Sequence, residues 1–186
     1  GYFMLSFKTY LTEKVGAFTA WHGSSGRFNK FEKVKAHSGG GGAAYGSGIY
    51  ISKNIDVGKY YQKLNKSNTA TLYEIKVTID TDKLLRWDLP FDKQPKFIQN
   101  VLKTIDYDDS RGTEGRYYFQ VLRSSYSTEK SGPTESKAAS DYLEKKGIQG
   151  VFFNKDKKLP GQNFVIFDPK RISILKRFDN KGKEII

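Results

Sequence analysis

Apolar residues recur along the chain with two different periods. Thr71 to Ile79 alternates strictly, with Tyr73, Ile75, Val77 and Ile79 on one side and Glu74, Lys76 and Thr78 on the other. A period of two is that of a half-buried strand. Shorter apolar runs at Phe18–His22, Ile49–Ser52, Ile148–Phe153, Phe164–Phe167 and Ile172–Leu175 read as further strands. Helical spacing appears in five places. Leu5, Phe7, Tyr10 and Leu11 predict an N-terminal helix over 4–15, and Tyr60, Tyr61 and Leu64 predict one capped by Asp56. Phe97, Ile98, Val101, Leu102 and Ile105 form the apolar stripe of a helix over Lys93–Ile105. Tyr117, Tyr118, Val121 and Leu122 do the same over Glu114–Ser124, and Ala138, Ala139, Tyr142 and Leu143 over a helix that Thr134 starts and Gly147 stops. Strands come first, then helices, then strands, without regular alternation. The prediction is one α+β domain over 1–186, built from two twisted, mostly antiparallel sheets with flanking helices. Gly1-Tyr2-Phe3 precedes Met4 and reads as an added remnant outside the fold.

Composition narrows the chemistry. The 186 residues are enough for a real core, and 12 Tyr with 13 Phe supply large apolar areas for strands. Cysteine is absent, which removes disulfides, thiol catalysis and thiolate metal sites. His22 and His37 are the only histidines, so no metal site is expected. No apolar run reaches the roughly 18 residues of a membrane span, and no membrane partner is expected. The net charge of +12 is uneven: +5 over residues 1–60, +1 over 61–142 and +6 over 143–186. Two basic ends around a near-neutral middle read either as a solvated lysine-rich surface or as the footprint of an anionic partner.

Two short stretches concentrate the candidate chemistry. Trp21-His22-Gly23-Ser24 ends an apolar run in a histidine, a glycine and a serine, and Tyr45-Gly46-Ser47-Gly48-Ile49-Tyr50 leads glycines into a strand carrying a tyrosine. The glycines Gly39 to Gly42 between them read as a surface loop or as a lid over a cleft. They are not a phosphate loop, because no Gly-Lys-Ser/Thr follows and the glycines precede a strand rather than a helix. Gly23 leaves room for a ligand to approach its backbone. Tyr50, at a strand entrance, and Tyr61, on the next helix, are placed to stack on a flat ring.

This ordered set resembles the ADP-ribosyltransferases of the diphtheria-toxin and poly(ADP-ribose)-polymerase type. Their pattern is His-Gly-Ser/Thr, then Gly-x-Gly-x-Tyr, then a second tyrosine on the following helix, matched by His22-Gly23-Ser24, Gly46-Ser47-Gly48-Ile49-Tyr50 and Tyr61. Leu72-Tyr73-Glu74-Ile75, Leu84-Leu85-Arg86-Trp87-Asp88, Ser136 to Leu143, Gly147 to Gly150 and Asn163 to Asp168 resemble most the transferase domains of phage and bacterial polyvalent proteins. The resemblance spans Phe18 to about Leu175. It implies the ADP-ribosyltransferase fold around a cleft for NAD, used as co-substrate without a metal. It further implies a monomer acting in a bacterial cytoplasm, phage-encoded or carried by a mobile element.

Residue by residue, the resemblance implies that His22 bonds the adenosine-side ribose, that Gly23 pairs by its backbone with the nicotinamide amide, and that Tyr50 and Tyr61 sandwich the ring. Ser24 would orient NAD, and Tyr45, Gly48 and Gln162 would border the same site. The pattern departs at two positions. Gly58 stands where the polymerases place a small hydroxyl residue, and Asn163 stands where they place the glutamate that holds the ribose. Asn163 carries no charge, so transfer of a single ADP-ribose is expected rather than polymer formation. Glu74 reads as a substitute carboxylate or as a solvent-facing strand residue. The rival functions are a binding module for NAD or nucleic acid with weak or no catalysis, and an NAD glycohydrolase. The acceptor is RNA, DNA or protein. Arg27, Lys30, Lys33 and Lys35 follow His22, and Lys155, Lys157 and Lys158 precede Asn163. If both clusters rim one cleft they would guide a phosphate backbone, with Phe28 and Phe31 offering stacking surfaces or simply filling the core.

Overall fold

The computed structural model describes residues 15–33, 44–64, 66–126, 133–156 and 159–186. The expected N-terminal helix, the Gly39–Gly42 loop, Lys35, Lys157 and Lys158 lie outside the described residues. Among the described residues, seven strands and four α-helices follow one another as β1 (Val15–Ser24), β2 (Ile49–Ser52), α1 (Ile55–Lys63), β3 (Thr71–Asp80), β4 (Leu84–Arg86), α2 (Lys96–Leu102), α3 (Gly115–Ser125), α4 (Pro133–Lys145), β5 (Gly150–Asp156), β6 (Leu159–Ile166) and β7 (Ile172–Phe178).

The strands form one seven-stranded sheet in the order β4-β5-β6-β2-β1-β3-β7, and not the two sheets expected from sequence. Only β4 and β5 run parallel. The reason that two sheets become one lies at β1 and β2. These strands share a single register pair, Trp21 with Ser52. On either side of that pair the ladders are long: β1 pairs with β3 over ten residues, and β2 pairs with β6 along its whole length. Ala20, Tyr73, Ile75 and Val77 of one half and Ile49, Ile51, Phe152 and Phe164 of the other belong to one buried cluster. Phe18 and Phe164 meet across it with ring centroids 5.1 Å apart. The two halves therefore share a core while their strands pair at one narrow seam. A second core packs helices α2, α3 and α4 on the other face of the β4-β5-β6-β2 half, around Trp87, Phe119, Leu143, Phe153 and Phe167.

Local sequence explains how the elements end. Asn54, not Asp56, caps α1: its side-chain oxygen accepts from the Asp56 N–H at 2.9 Å, leaving Asp56 as the acidic first-turn residue that favours a helix N-terminus. The helix expected over Lys93–Ile105 is shorter, because Pro95 sits at its N-cap and the chain before it makes a separate 3-10 turn. Gly147 stops α4 in the left-handed region at φ +91°, which a side chain would disfavour. Leu84–Arg86, unassigned from sequence, becomes a strand because its short run lies parallel to Gly150–Phe152 in the middle of the core.

Helix α1 lies across the seam, and two glycines let it. A Cβ on Gly23 would sit 1.9 Å from the Gly58 carbonyl oxygen and 2.5 Å from the Gln62 nitrogen; one on Gly58 would sit 2.8 Å from Leu72 and 3.0 Å from Trp21. The Gly23 contacts are backbone approaches that no side-chain rotation relieves, whereas those of Gly58 are to the side-chain carbons Leu72 Cδ1 and Trp21 Cβ. Gly23→Ala should therefore destabilise the fold by about 3 kcal/mol, at the upper end of what overpacking costs. Urea unfolding of the variant against the parent chain measures this as a lower midpoint with an unchanged slope.

Candidate functional site

The narrow seam opens into a cleft. Beyond Trp21 and Ser52 the strands β1 and β2 part, and α1 roofs the gap. Trp21 and Gly23 from β1, Tyr50 and Ser52 from β2, Gly58 and Tyr61 from α1, and Phe153 and Asn163 from β5 and β6 line the space between them. Four residues proposed from sequence, Gly23, Tyr50, Tyr61 and Asn163, thus converge although 140 positions separate the first from the last. The enclosed space is about 10 Å³, close to what one water occupies. A nicotinamide-sized ring does not fit this space as it stands.

Asn163 is the polar feature of this cleft. It is 1% exposed and pairs in register with Ser52 on one side and Phe153 on the other. Its Nδ2 donates to the Gly161 carbonyl at 3.2 Å, while its Oδ1 is buried without a hydrogen-bond partner among the described residues. The Oε1 of its neighbour Gln162 is in the same condition. Buried acceptors left unmade destabilise a fold by roughly 1–3 kcal/mol each, so such atoms mark places where a donor from elsewhere is accommodated. Ser52 is buried too, and its Oγ accepts from the Asn54 N–H at 3.0 Å, which ties the floor of the cleft to the start of α1.

Tyr50 is held at its tip. Its hydroxyl donates to the Gly46 carbonyl at 2.8 Å and accepts from the Tyr45 N–H at 3.1 Å. Gly46 takes φ +112°, and the turn it makes is fastened by the Ser47 N–H donating to Ser140 Oγ on α4 at 2.8 Å. Tyr45 does not face the cleft: its ring lies flat on Phe153 at 4.0 Å and edge-on to Trp87 at 5.2 Å, as part of the helix-side core. Gly48 serves packing, since a Cβ there would sit 2.6 Å from the Ile166 carbonyl oxygen. Ser24 accepts from the Gly26 N–H at 3.1 Å and shapes the exit of β1 rather than the cleft wall.

His22 lies on the opposite face of β1 from Trp21 and Gly23, as the period of two requires. Its ring packs edge-on to Phe31 at 5.0 Å and tilted against Tyr73 and Phe28. Its Nδ1 is 2.6 Å from the Tyr50 carbonyl oxygen. A carbonyl only accepts, so Nδ1 carries the proton and Nε2 of the neutral ring is an acceptor. Removal from water pushes the His22 pKa below its ordinary value, against the smaller opposing effect of the Tyr50 bond, and so the ring is neutral at pH 7. His22 is thus a second link across the seam, and it is not among the residues that line the cleft.

Glu74 is not part of the cleft. It pairs with Trp21 on one side and Lys176 on the other, one strand removed, and is absent from the lining residues. Of the two basic clusters, Lys33 donates to the Phe167 carbonyl at 3.3 Å and pairs with Glu144, beyond the end of β6, while Lys35, Lys157 and Lys158 lie outside the described residues. Arg27 and Lys30 are exposed. Phe28 and Phe31 are committed inside, Phe28 stacked on Tyr73 at 4.5 Å and Phe31 only 7% exposed. Sequence reasoning missed Trp21, Ser52 and Phe153 as cleft residues. The signal was present for the first two: alternation from Gly23 and from Tyr50 places them on the same face.

No family model matches the chain, and no curated protein matches it. Two solved structures are similar in fold. A crystal structure of an anti-CRISPR protein superposes at a TM-score of 0.43 with 10% identity, over 86% of this chain and 96% of that one. A chain of the M. tuberculosis MbcT–MbcA toxin–antitoxin complex superposes at 0.46 with 12% identity, over 88% of this chain and 84% of that one. Likenesses this remote define neither a family nor an activity. No described helix is long and apolar enough to cross a membrane.

The histidine sets a pH dependence. With its pKa lowered on folding, the unfolded chain takes up the proton first, at about 6.5, so stability is full above that pH and falls below it. Unfolding free energy should decline between pH 7 and 5.5 by up to about 1.4 kcal/mol per pH unit from this one group. His22→Gln should flatten that decline, and urea titrations of both proteins at the two pH values make the comparison.

Proposed function

We propose that this cleft binds the nicotinamide end of NAD and that the chain is a mono-ADP-ribosyltransferase. The observation that carries the reading is the meeting of Gly23, Tyr50, Tyr61 and Asn163 in one cleft with the Asn163 Oδ1 buried and unpartnered. Two aromatic walls suit a flat cationic ring, and an orphan acceptor suits a carboxamide N–H or a ribose O–H. His22, outside the cleft lining, serves this site through its bond to the Tyr50 carbonyl. In the reaction, the bond between the ribose carbon and the nicotinamide nitrogen breaks, nicotinamide leaves with the bonding pair, and an acceptor nucleophile takes the ribose carbon while losing its proton. The chain's contribution is to hold the leaving group between the tyrosines, fix the ribose, and exclude water by closing α1 over the ring.

One observation favours a second reading, an NAD-binding module with weak or no turnover. The residues that line the cleft include no Asp or Glu, and the amide of Asn163 supplies no charge to an oxocarbenium-like ribose. Incubation with NAD labelled in the adenylate portion separates the readings. Label on protein, RNA or DNA supports transfer, free ADP-ribose with nicotinamide supports hydrolysis, and saturable binding without nicotinamide release supports the module.

Two substitutions test the site itself. Asn163→Ala removes the unpartnered Oδ1 acceptor together with the Nδ2 bond to the Gly161 carbonyl, so stability should fall by only about 1 kcal/mol while NAD turnover or affinity falls by about 10- to 100-fold. Tyr61→Ala, on a half-buried helix position, should lower NAD affinity by about tenfold or more with little change in melting temperature. Calorimetric titration with NAD beside thermal melts reads both quantities, and equal losses of stability and affinity would assign Tyr61 to packing alone.

A further inference from the structure

On the other side of the molecule a groove of about 400 Å³ runs between Asn29–Lys33 and Pro169–Ile174. It shares no lining residue with the β1–β2 cleft. Its volume falls within the ~300–1,000 Å³ of ligand-sized sites. Strand β7 forms one wall and is the last strand of the sheet. Its inner side pairs with β3. On its outer side the C-terminal segment covers only the end, where the Ile185 N–H donates to the Arg177 carbonyl at 2.8 Å and Phe178 bridges Glu184. From Ile172 to Lys176 the outer edge has no partner strand among the described residues. An irregularity in the pairing opposite Glu74 and Ile75, together with exposed Lys176, blunts this edge against pairing with a second copy of itself.

Phe31, Ile172 and Ile174 give the groove an apolar floor, and Lys30, Lys170 and, opposing them, Glu32 stand exposed at its rim. Lys33 is partly neutralised by Glu144, but no described ion pair engages Lys30 or Lys170. We infer that this groove docks an extended, acidic peptide segment of a partner protein, added as a strand to the outer edge of β7 at Ile172–Ile174, with its acidic side chains on Lys30 and Lys170. Strand addition takes affinity from main-chain hydrogen bonds and specificity from alternate side chains, which matches an open edge beside an apolar floor and a basic rim. A single-stranded nucleic acid fits the same charge less well. It brings no strand edge for β7, and the rings it would stack on, Phe28 and Phe31, are packed against Tyr73 and His22.

The test uses the full chain and three probes: a capped octapeptide alternating glutamate and valine, its lysine–valine counterpart, and a single-stranded DNA octamer. Fluorescence anisotropy should show the acidic peptide bound at least tenfold more tightly than either of the others. Lys30→Glu with Lys170→Glu should weaken the acidic peptide at least tenfold and shift preference to the lysine peptide, with an unchanged melting temperature. Hydrogen exchange should slow at backbone amides within Ile172–Lys176 only when the acidic peptide is bound. The proposal is overturned if the DNA octamer binds as tightly as the acidic peptide, if the acidic peptide fails to bind, or if it binds without slowing exchange there. Because both residues lie outside the β1–β2 cleft, NAD binding by the doubly substituted chain should be unaltered, which keeps failure of this docking distinct from failure of the NAD reading.

Discussion

Everything around the cleft depends on how little holds β1 to β2. One register pair, Trp21 with Ser52, joins the two halves of the sheet, and the side chain of His22 adds a bond to the Tyr50 carbonyl. A longer ladder would zip the strands together and leave no gap. No ladder at all would separate the halves and remove the floor on which Asn163 and Tyr50 are set. The intermediate case requires reinforcement from outside the sheet. The shared core beneath, where Phe18 meets Phe164, supplies it from one side, and α1 pressed onto Gly23 supplies it from the other. Burial of apolar area is non-directional, so it can hold two half-sheets in place without prescribing hydrogen bonds between them.

The two glycines at this contact show how one residue type answers two constraints. Read as sequence, Gly23 invites a ligand to its backbone. In the fold its missing Cβ is used first by α1, whose backbone occupies the place a side chain would take. The two uses are compatible, because α1 brings Tyr61 to the cleft only by that close approach. Gly58 completes the contact from the helix side. Helix propensity disfavours glycine in a helix interior by about 1 kcal/mol, and here the packing it permits against Trp21 and Leu72 outweighs that penalty.

Strand periodicity carried most of what was legible beforehand. The alternation of Tyr73, Ile75, Val77 and Ile79 was enough to place β3, and its neighbours followed from apolar runs. Gly23, Tyr50 and Tyr61 stood out by glycine placement and strand entrance, whereas Asn163 was legible only through an ordered resemblance, since no local pattern relates residues that far apart. What stayed hidden was long-range. Leu84–Arg86 has no alternation because it is buried throughout, and its role appears only when Gly150–Phe152 lies beside it. The merging of two sheets into one turns on a single residue pair that no period encodes.

The anchoring of Tyr50 has an entropic side. A tyrosine in an open pocket forfeits rotamer freedom when a ligand immobilises it, a loss of roughly 0.5–1.5 kcal/mol for a flexible side chain at an interface. Here the hydroxyl is already fixed as donor to Gly46 and acceptor from Tyr45, and the turn that carries those partners is itself tethered to Ser140 of α4. That ordering is accomplished during folding, by helix α4 more than ninety positions away. Whatever ring comes to rest on Tyr50 meets a surface with almost no disorder left to lose, so the contact area converts to affinity with less deducted than an unanchored aromatic would allow.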